Sequence, residues 1–128
     1  MRTALLLIAM SLLGYCKDET VSGHGGQAAV WGLVSIDGTP VTARATLSFP
    51  EEGVIAGEAP CNRYSAQQTV PYPWFRAERI IYTRRACPEL DAETRFLGAL
   101  AEMTLVEVAG DTLVLSNDAG REMLFRAE

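Results

Sequence analysis

The run Arg79–Leu105 constrains the fold most, because it places a strand, a cysteine turn and a helix in immediate succession. Arg79-Ile80-Ile81-Tyr82-Thr83 is β-branched and aromatic, the composition of a strand packed on at least one face. Arg84-Arg85-Ala86-Cys87-Pro88 stops it, since proline cannot donate to a sheet ladder but fits the opening of a helix. From Glu89 the apolar period becomes helical. Leu90, Leu97, Leu100 and Ala101 are expected on the core face, with Phe96 and Met103 at its border. Glu89, Asp91 and Glu93 crowd the first turns, where the helix dipole favours negative charge. No other window makes so good a helix, so this one is expected to plug a β-rich core.

The N-terminus reads as an export signal. Arg2 precedes the short apolar run Thr3–Leu13, about ten apolar residues, which is too few to span a bilayer but suits a signal-peptide core. Leu13-Gly14-Tyr15-Cys16 resembles a bacterial lipobox, in which the cysteine is lipidated and becomes the mature N-terminus; Tyr15 departs from the small residue usual there. The alternative is an ordinary secreted protein cut near Ala9-Met10-Ser11. The expected organisation is a signal peptide over 1–15, a tether over 16–28 and one domain over 29–128. The tether holds Gly23, Gly25, Gly26 and the only histidine, His24, read as a solvated linker residue. The expected address is the bacterial envelope, either anchored by lipid on Cys16 to the periplasmic face of the outer membrane or free in the periplasm.

Cysteine parity agrees with lipidation. Of three cysteines, one is left over in an exported protein. With Cys16 lipidated, Cys61 and Cys87 remain, and in an oxidising compartment a disulfide is the default. They lie 26 positions apart, so an unstrained bridge contributes about 3–4 kcal/mol. Neither zinc-ligand spacing nor a C-x-x-C redox motif is present.

Strands follow the tether closely. Ala29–Ile36 ends at the hairpin signal Asp37-Gly38. Val41–Phe49 alternates, with Val41, Ala43, Ala45, Leu47 and Phe49 expected on the dry side. Pro50–Gly53 turns the chain into Val54–Glu58; Ala59–Asn62 interrupts, and Arg63–Val70 resumes. Pro71 and Pro73 bracket an aromatic loop with Tyr72, Trp74 and Phe75, which offers either a contact surface or a barrel closure. After the helix, Thr104–Val108, Thr112–Ser116 and Met123–Arg126 read as strands. About eight short antiparallel strands and one helix predict an α+β domain whose sheet is strongly curved, a partial barrel around the helix.

Gly57-Glu58-Ala59-Pro60-Cys61-Asn62-Arg63-Tyr64 resembles the G-x-x-x-C-N-x-Y signature of the META domain family. Thr83-Arg84-Arg85-Ala86-Cys87, then Glu93-Thr94-Arg95-Phe96-Leu97 and Leu100, resembles its T-x-x-A-C … E-x-x-F-L-x-x-L stretch. Asp111–Leu115, Gly120 and Leu124-Phe125 look like its closing hairpin, and Trp31-x-Leu33 like its opening strand. Pro60 stands where many members carry glycine. The resemblance implies a compact β-rich domain with one helix. It also implies kinship with HslJ-like heat-shock lipoproteins of the outer membrane and an association with envelope stress, drug tolerance, motility or virulence. It implies no chemical activity.

The residues point away from catalysis. The folded part has no histidine to serve a nucleophile, no metal-ligand cluster, and no phosphate- or dinucleotide-binding loop, so no cofactor is expected. Glu51, Glu52 and Glu58 are the carboxylates that glycoside chemistry would need, and the first two sit at a turn where solvated charge is ordinary. A net charge of −5 argues against nucleic acid. A bond between Cys61 and Cys87 would gather Asn62, Arg63, Tyr64, Arg84 and Arg85 around it, a local cationic group suited to an anionic partner such as a lipid headgroup or a carboxylate-bearing peptide. The competing reading has Asn62 capping a turn, Tyr64 packing, and the arginines pairing with Glu89 and Asp91. The expected function is a non-enzymatic, monomeric interaction module. The alternatives are a carrier whose curved sheet encloses a small apolar ligand and an inhibitor presenting Ala59–Tyr64.

Overall fold

A computed structural model describes residues 29–128; the expected signal peptide, tether, Cys16 and His24 lie outside the described residues. Among the described residues, nine antiparallel strands and one helix make an α+β fold: β1 Val30–Ile36, β2 Thr39–Pro40, β3 Thr46–Ser48, β4 Val54–Glu58, β5 Arg63–Gln68, β6 Ala77–Tyr82, α1 Leu90–Glu102, β7 Leu105–Ala109, β8 Thr112–Ser116 and β9 Glu122–Ala127. The strand order is β6-β5-β4-β3-β1-β9-β8-β7, with β2 paired to β1. The sheet curls into a half-barrel. Its two ends approach where Trp74, just before β6, bridges Leu105 of β7, with Phe75 N–H on Thr104 O and Val106 N–H on Pro73 O, both 2.8 Å. The aromatic loop therefore closes the barrel, burying Phe75 while leaving Trp74 exposed.

Local chemistry explains most element boundaries. Asp37 and Gly38 both take positive φ (51° and 78°), the two-residue turn whose twist matches its flanking strands. Val41–Phe49 keeps the expected burial alternation except at Thr46, which is buried although expected on the wet side, and it is not a continuous strand: only Thr46–Ser48 pairs, against both β1 and β4. The backbone of the stretch before it bonds to the sheet at its ends, through Val41 N–H on Val34 O and Leu33 N–H on Ala45 O. β6 starts two residues before Arg79, which bulges with φ 52° opposite a register shift between Ser65 and Gln67. It is an edge strand, and Ile81 and Tyr82 are exposed rather than packed.

The helix is rotated from the expected stripe. Glu93, Phe96, Ala99 and Leu100 are buried on it, and Met103 follows at its C-terminal end. Leu97 is half-buried, and Leu90 and Ala101 face solvent. The cause is Glu93, whose carboxylate is drawn inward by donors from the β4–β5 turn, turning the face toward Phe96 and Leu100. Phe96 then meets Tyr64 edge to face, with centroids 5.5 Å apart. Trp31, Phe49, Phe75 and Phe125 fill the space between sheet and helix.

Candidate functional site

The β4–β5 hairpin turns through Pro60-Cys61 and is closed by Ala59 N–H on Asn62 O at 2.7 Å. Cys61 is bonded to Cys87, with Cα atoms 5.6 Å apart. This ties the turn to the segment entering α1. The Cys61 N–H, left without a sheet partner, donates to Glu93 Oε1 at 3.0 Å. Asn62, only 6% exposed, sits at the centre. Its amide nitrogen donates to Glu93 Oε2 (2.7 Å) and Arg85 O (3.0 Å). Its carbonyl oxygen accepts from Arg85 N–H (2.6 Å) and the Thr83 hydroxyl (2.9 Å). Both amide hydrogens and both carbonyl lone pairs are used. Asn62 thus does not cap its own turn; it clasps the 83–85 segment to the helix.

Tyr64 continues the same fabric. Its hydroxyl donates to Thr46 O at 2.6 Å, and burial pushes its phenol well above the ordinary tyrosine range. Gly57 is required beside it, because a Cβ there would meet Thr46 O at 2.2 Å and the Tyr64 hydroxyl at 2.9 Å. The Gly57, Cys61, Asn62, Tyr64 and Glu93 pattern is therefore one structural unit: glycine for close approach, cysteine for the bridge, asparagine and glutamate for the clasp, tyrosine for the floor.

Outside this unit, Arg63, Arg84 and Arg85 project into solvent. Among the described residues none of the three is in an ion pair; the expected partners Glu89 and Asp91 do not bind them. The Arg84 guanidinium lies 5.4 Å from the centre of the Tyr82 ring. Arg84 and Arg85 flank a cleft of about 410 Å³ between the end of β6 and the first turns of α1. Tyr82, Leu90 and Leu97 give it an apolar wall, and Asn62 and Glu93 lie at its base. Of the five residues named from the sequence, Asn62, Arg84 and Arg85 meet at this cleft; Tyr64 points into the core and Arg63 lies outside it.

A larger cleft of about 600 Å³ had no signal in the sequence. It lies between the β1–β2 hairpin with the 41–43 segment and the helix face bearing Ala92, Arg95 and Gly98. Its walls come from segments far apart in the chain, so no local pattern marks it.

Other candidates resolve simply. Glu51 and Glu52 are exposed at a turn, and Glu58 pairs with Arg44 at 3.2 Å, which also holds Glu128. Glu89 Oε2 lies 3.3 Å from Cys87 Sγ. A disulfide sulfur has no proton to donate, so this is a contact only, and the bonded sulfurs are not the thiolates that a metal would need. The Ala59–Tyr64 loop is tied inward, with Ala59, Asn62 and Tyr64 all buried.

A family model described as the META domain matches residues 27–128. No curated protein matches the chain. Among solved structures, the chain is similar to an NMR structure of a protein from Burkholderia xenovorans at 22% identity, with a TM-score of 0.65 over 84% of this chain and 86% of that one. A second NMR structure is 26% identical, with a TM-score of 0.62 over 80% and 92% of the two chains. A crystal structure of a duf4847 family protein from Bacteroides vulgatus is 12% identical, with a TM-score of 0.62 over 79% and 93%, a likeness of fold alone.

Proposed function

The chain belongs to the META domain family, and on that premise we propose that it is a non-enzymatic interaction module of the bacterial envelope, held to a membrane by lipid on Cys16 and binding an anionic partner at the Arg84–Arg85 cleft. One observation carries the reading. In a protein of net charge −5, Arg84 and Arg85 line one cleft and take part in no ion pair among the described residues, beside a turn fixed by both a disulfide and the Asn62 clasp. Cations on a rigid frame lose little freedom when they engage an anion. Glu93, the buried carboxylate of the region, has both oxygens occupied by donors, which supports a strut rather than a free acid or base. The role in envelope stress or drug tolerance comes from the resemblance noted above.

Two measurements test this. Mass spectrometry of the membrane fraction should find a diacylglyceryl mass on an N-terminal Cys16; a soluble, unlipidated mature chain overturns the anchor. A deletion strain challenged with envelope-active drugs should be rescued by the native chain and not by an Arg84→Ala/Arg85→Ala chain of equal abundance. Full rescue by that variant overturns the cleft. A carrier role for the curved sheet has less support, since Trp31, Phe49, Phe75 and Phe125 occupy its interior.

A further inference from the structure

We propose that the outer edge of β6 docks an extended acidic peptide segment by strand addition, the peptide lying along β6 with its acidic side chains at Arg84 and Arg85. The inference rests on the anionic-partner reading above and specifies the partner's chemistry and how it binds.

β6 ends the strand order, so one side of its backbone meets no strand. The hydrogen bonding shows which groups are left. Thr83 N–H donates to Arg63 O at 3.0 Å, which fixes residue 63 as facing β6. Gln68 N–H donates to Gly53 O at 2.9 Å, so the even-numbered residues of β5 face β4 and the odd-numbered ones face β6. Ser65 and Ile81 are then the next bonded pair. Tyr82, and by alternation Ile80, direct their N–H and C=O groups away from the sheet. Among the described residues nothing outside the ladder takes up these groups.

An exposed edge is a hazard that proteins ordinarily blunt with charge or cover. Here charge and exposed apolar area occur together. Ile81 is 67% exposed, Tyr82 42% and, across the cleft, Leu90 44%. The cleft of about 410 Å³ beside β6 gives a strand's side chains somewhere to go. Main-chain bonds to an edge supply affinity in such binding, while pockets for alternate side chains supply selection. The occupant follows from charge. Arg79, Arg84 and Arg85 would confront one another if two copies paired edge to edge, and like charges across a strand pair are unfavourable. An acidic strand meets them favourably.

The test uses the full chain and an alternating Glu-Val octapeptide, with three comparison probes: the same peptide N-methylated at alternate residues, its Lys-Val counterpart, and phosphatidylglycerol vesicles. Binding of the Glu-Val peptide should slow amide exchange at Ile80 and Tyr82. N-methylation should weaken it at least tenfold, as should Tyr82→Pro, which removes an outward donor from an edge where proline is tolerated. Lys-Val should not bind. Equal binding of the methylated peptide without new protection at Tyr82 overturns strand addition and leaves the anionic cleft standing. Backbone-dependent binding that survives Arg84→Ala/Arg85→Ala overturns the cleft instead. No peptide binding at millimolar concentration, or binding of vesicles only, overturns the peptide partner. If Tyr82→Pro fails to fold, the methylated peptide decides alone.

Discussion

The Asn62 side-chain amide donates to Glu93 Oε2 at 2.7 Å, across 31 positions of sequence and in a site closed to solvent. The second oxygen of the same carboxylate takes the Cys61 N–H. A buried carboxylate is tolerable only when donors replace its water, and here two donors from one turn do so. The contact couples the helix orientation to the hairpin tip, and the disulfide makes the same connection a few ångströms away.

If that coupling is real, Asn62→Ala strands Glu93 Oε2, the Arg85 N–H and the Thr83 hydroxyl together. The expected cost is about 2–4 kcal/mol in urea unfolding. Glu93→Gln keeps the shape but turns a donor toward a donor, at about 1–2 kcal/mol. In a double-mutant cycle with alanine at both positions, the coupling should be about 1–3 kcal/mol. A coupling near zero would mean that the two residues are neighbours without being a clasp.

Replacing Cys61 and Cys87 together by serine should cost about 3–4 kcal/mol, because the unbridged denatured chain gains loop entropy. The same change expands the denatured state, so the denaturant slope should rise. Loss of the clasp leaves that slope alone. The two effects are therefore separable in one titration.

What could be read from the sequence was what is local or covalent. Asp37-Gly38 announced its turn because few residue pairs accept two positive φ angles in succession. Thr112–Ser116 announced its strand as a short apolar run between the turn residues Gly110-Asp111 and Asn117–Gly120, and the cysteines announced their bond by parity. The helix face was misjudged because hydrophobic periodicity treats Glu93 as surface, and only a partner 31 residues away makes it interior. Glu93 did stand in the family motif; its place there beside the Cys61-Asn62 pair was the available signal. Arg79–Thr83 looked packed by composition, but edge position is a property of topology and leaves Ile81 in solvent.

Two glycines should respond in opposite directions to alanine. At Gly57 the new Cβ meets the Thr46 carbonyl, main chain that cannot swing away, and the Tyr64 hydroxyl. Gly57→Ala should cost more than about 2 kcal/mol or prevent folding. At Gly98, mid-helix, a Cβ meets nothing within 4 Å. Gly98→Ala should stabilise by about 0.5–1 kcal/mol, since the unfolded chain loses freedom and the helix gains a better former. Thermal melts of the two variants decide the matter.

The β1–β2 turn should give the protein part of its acid sensitivity. Asp37 lies below the ordinary carboxylate value of 3.8 because its carboxylate accepts the Glu122 N–H and then the Arg121 guanidinium. Glu128 is lowered in the same sense by Arg44. A lowered native value means that the unfolded chain takes up protons first. This stabilisation is complete above the ordinary carboxylate range and is lost as pH falls through the native values. The melting temperature should therefore hold from neutrality to about pH 5 and decline as pH falls below about 4. Asn accepts the positive φ at position 37 as readily as Asp does, so Asp37→Asn removes the titration without rebuilding the turn. Its melting curve should fall less steeply in acid than that of the native chain; parallel acid slopes would place the sensitivity elsewhere, with Glu128→Gln the next variant to compare.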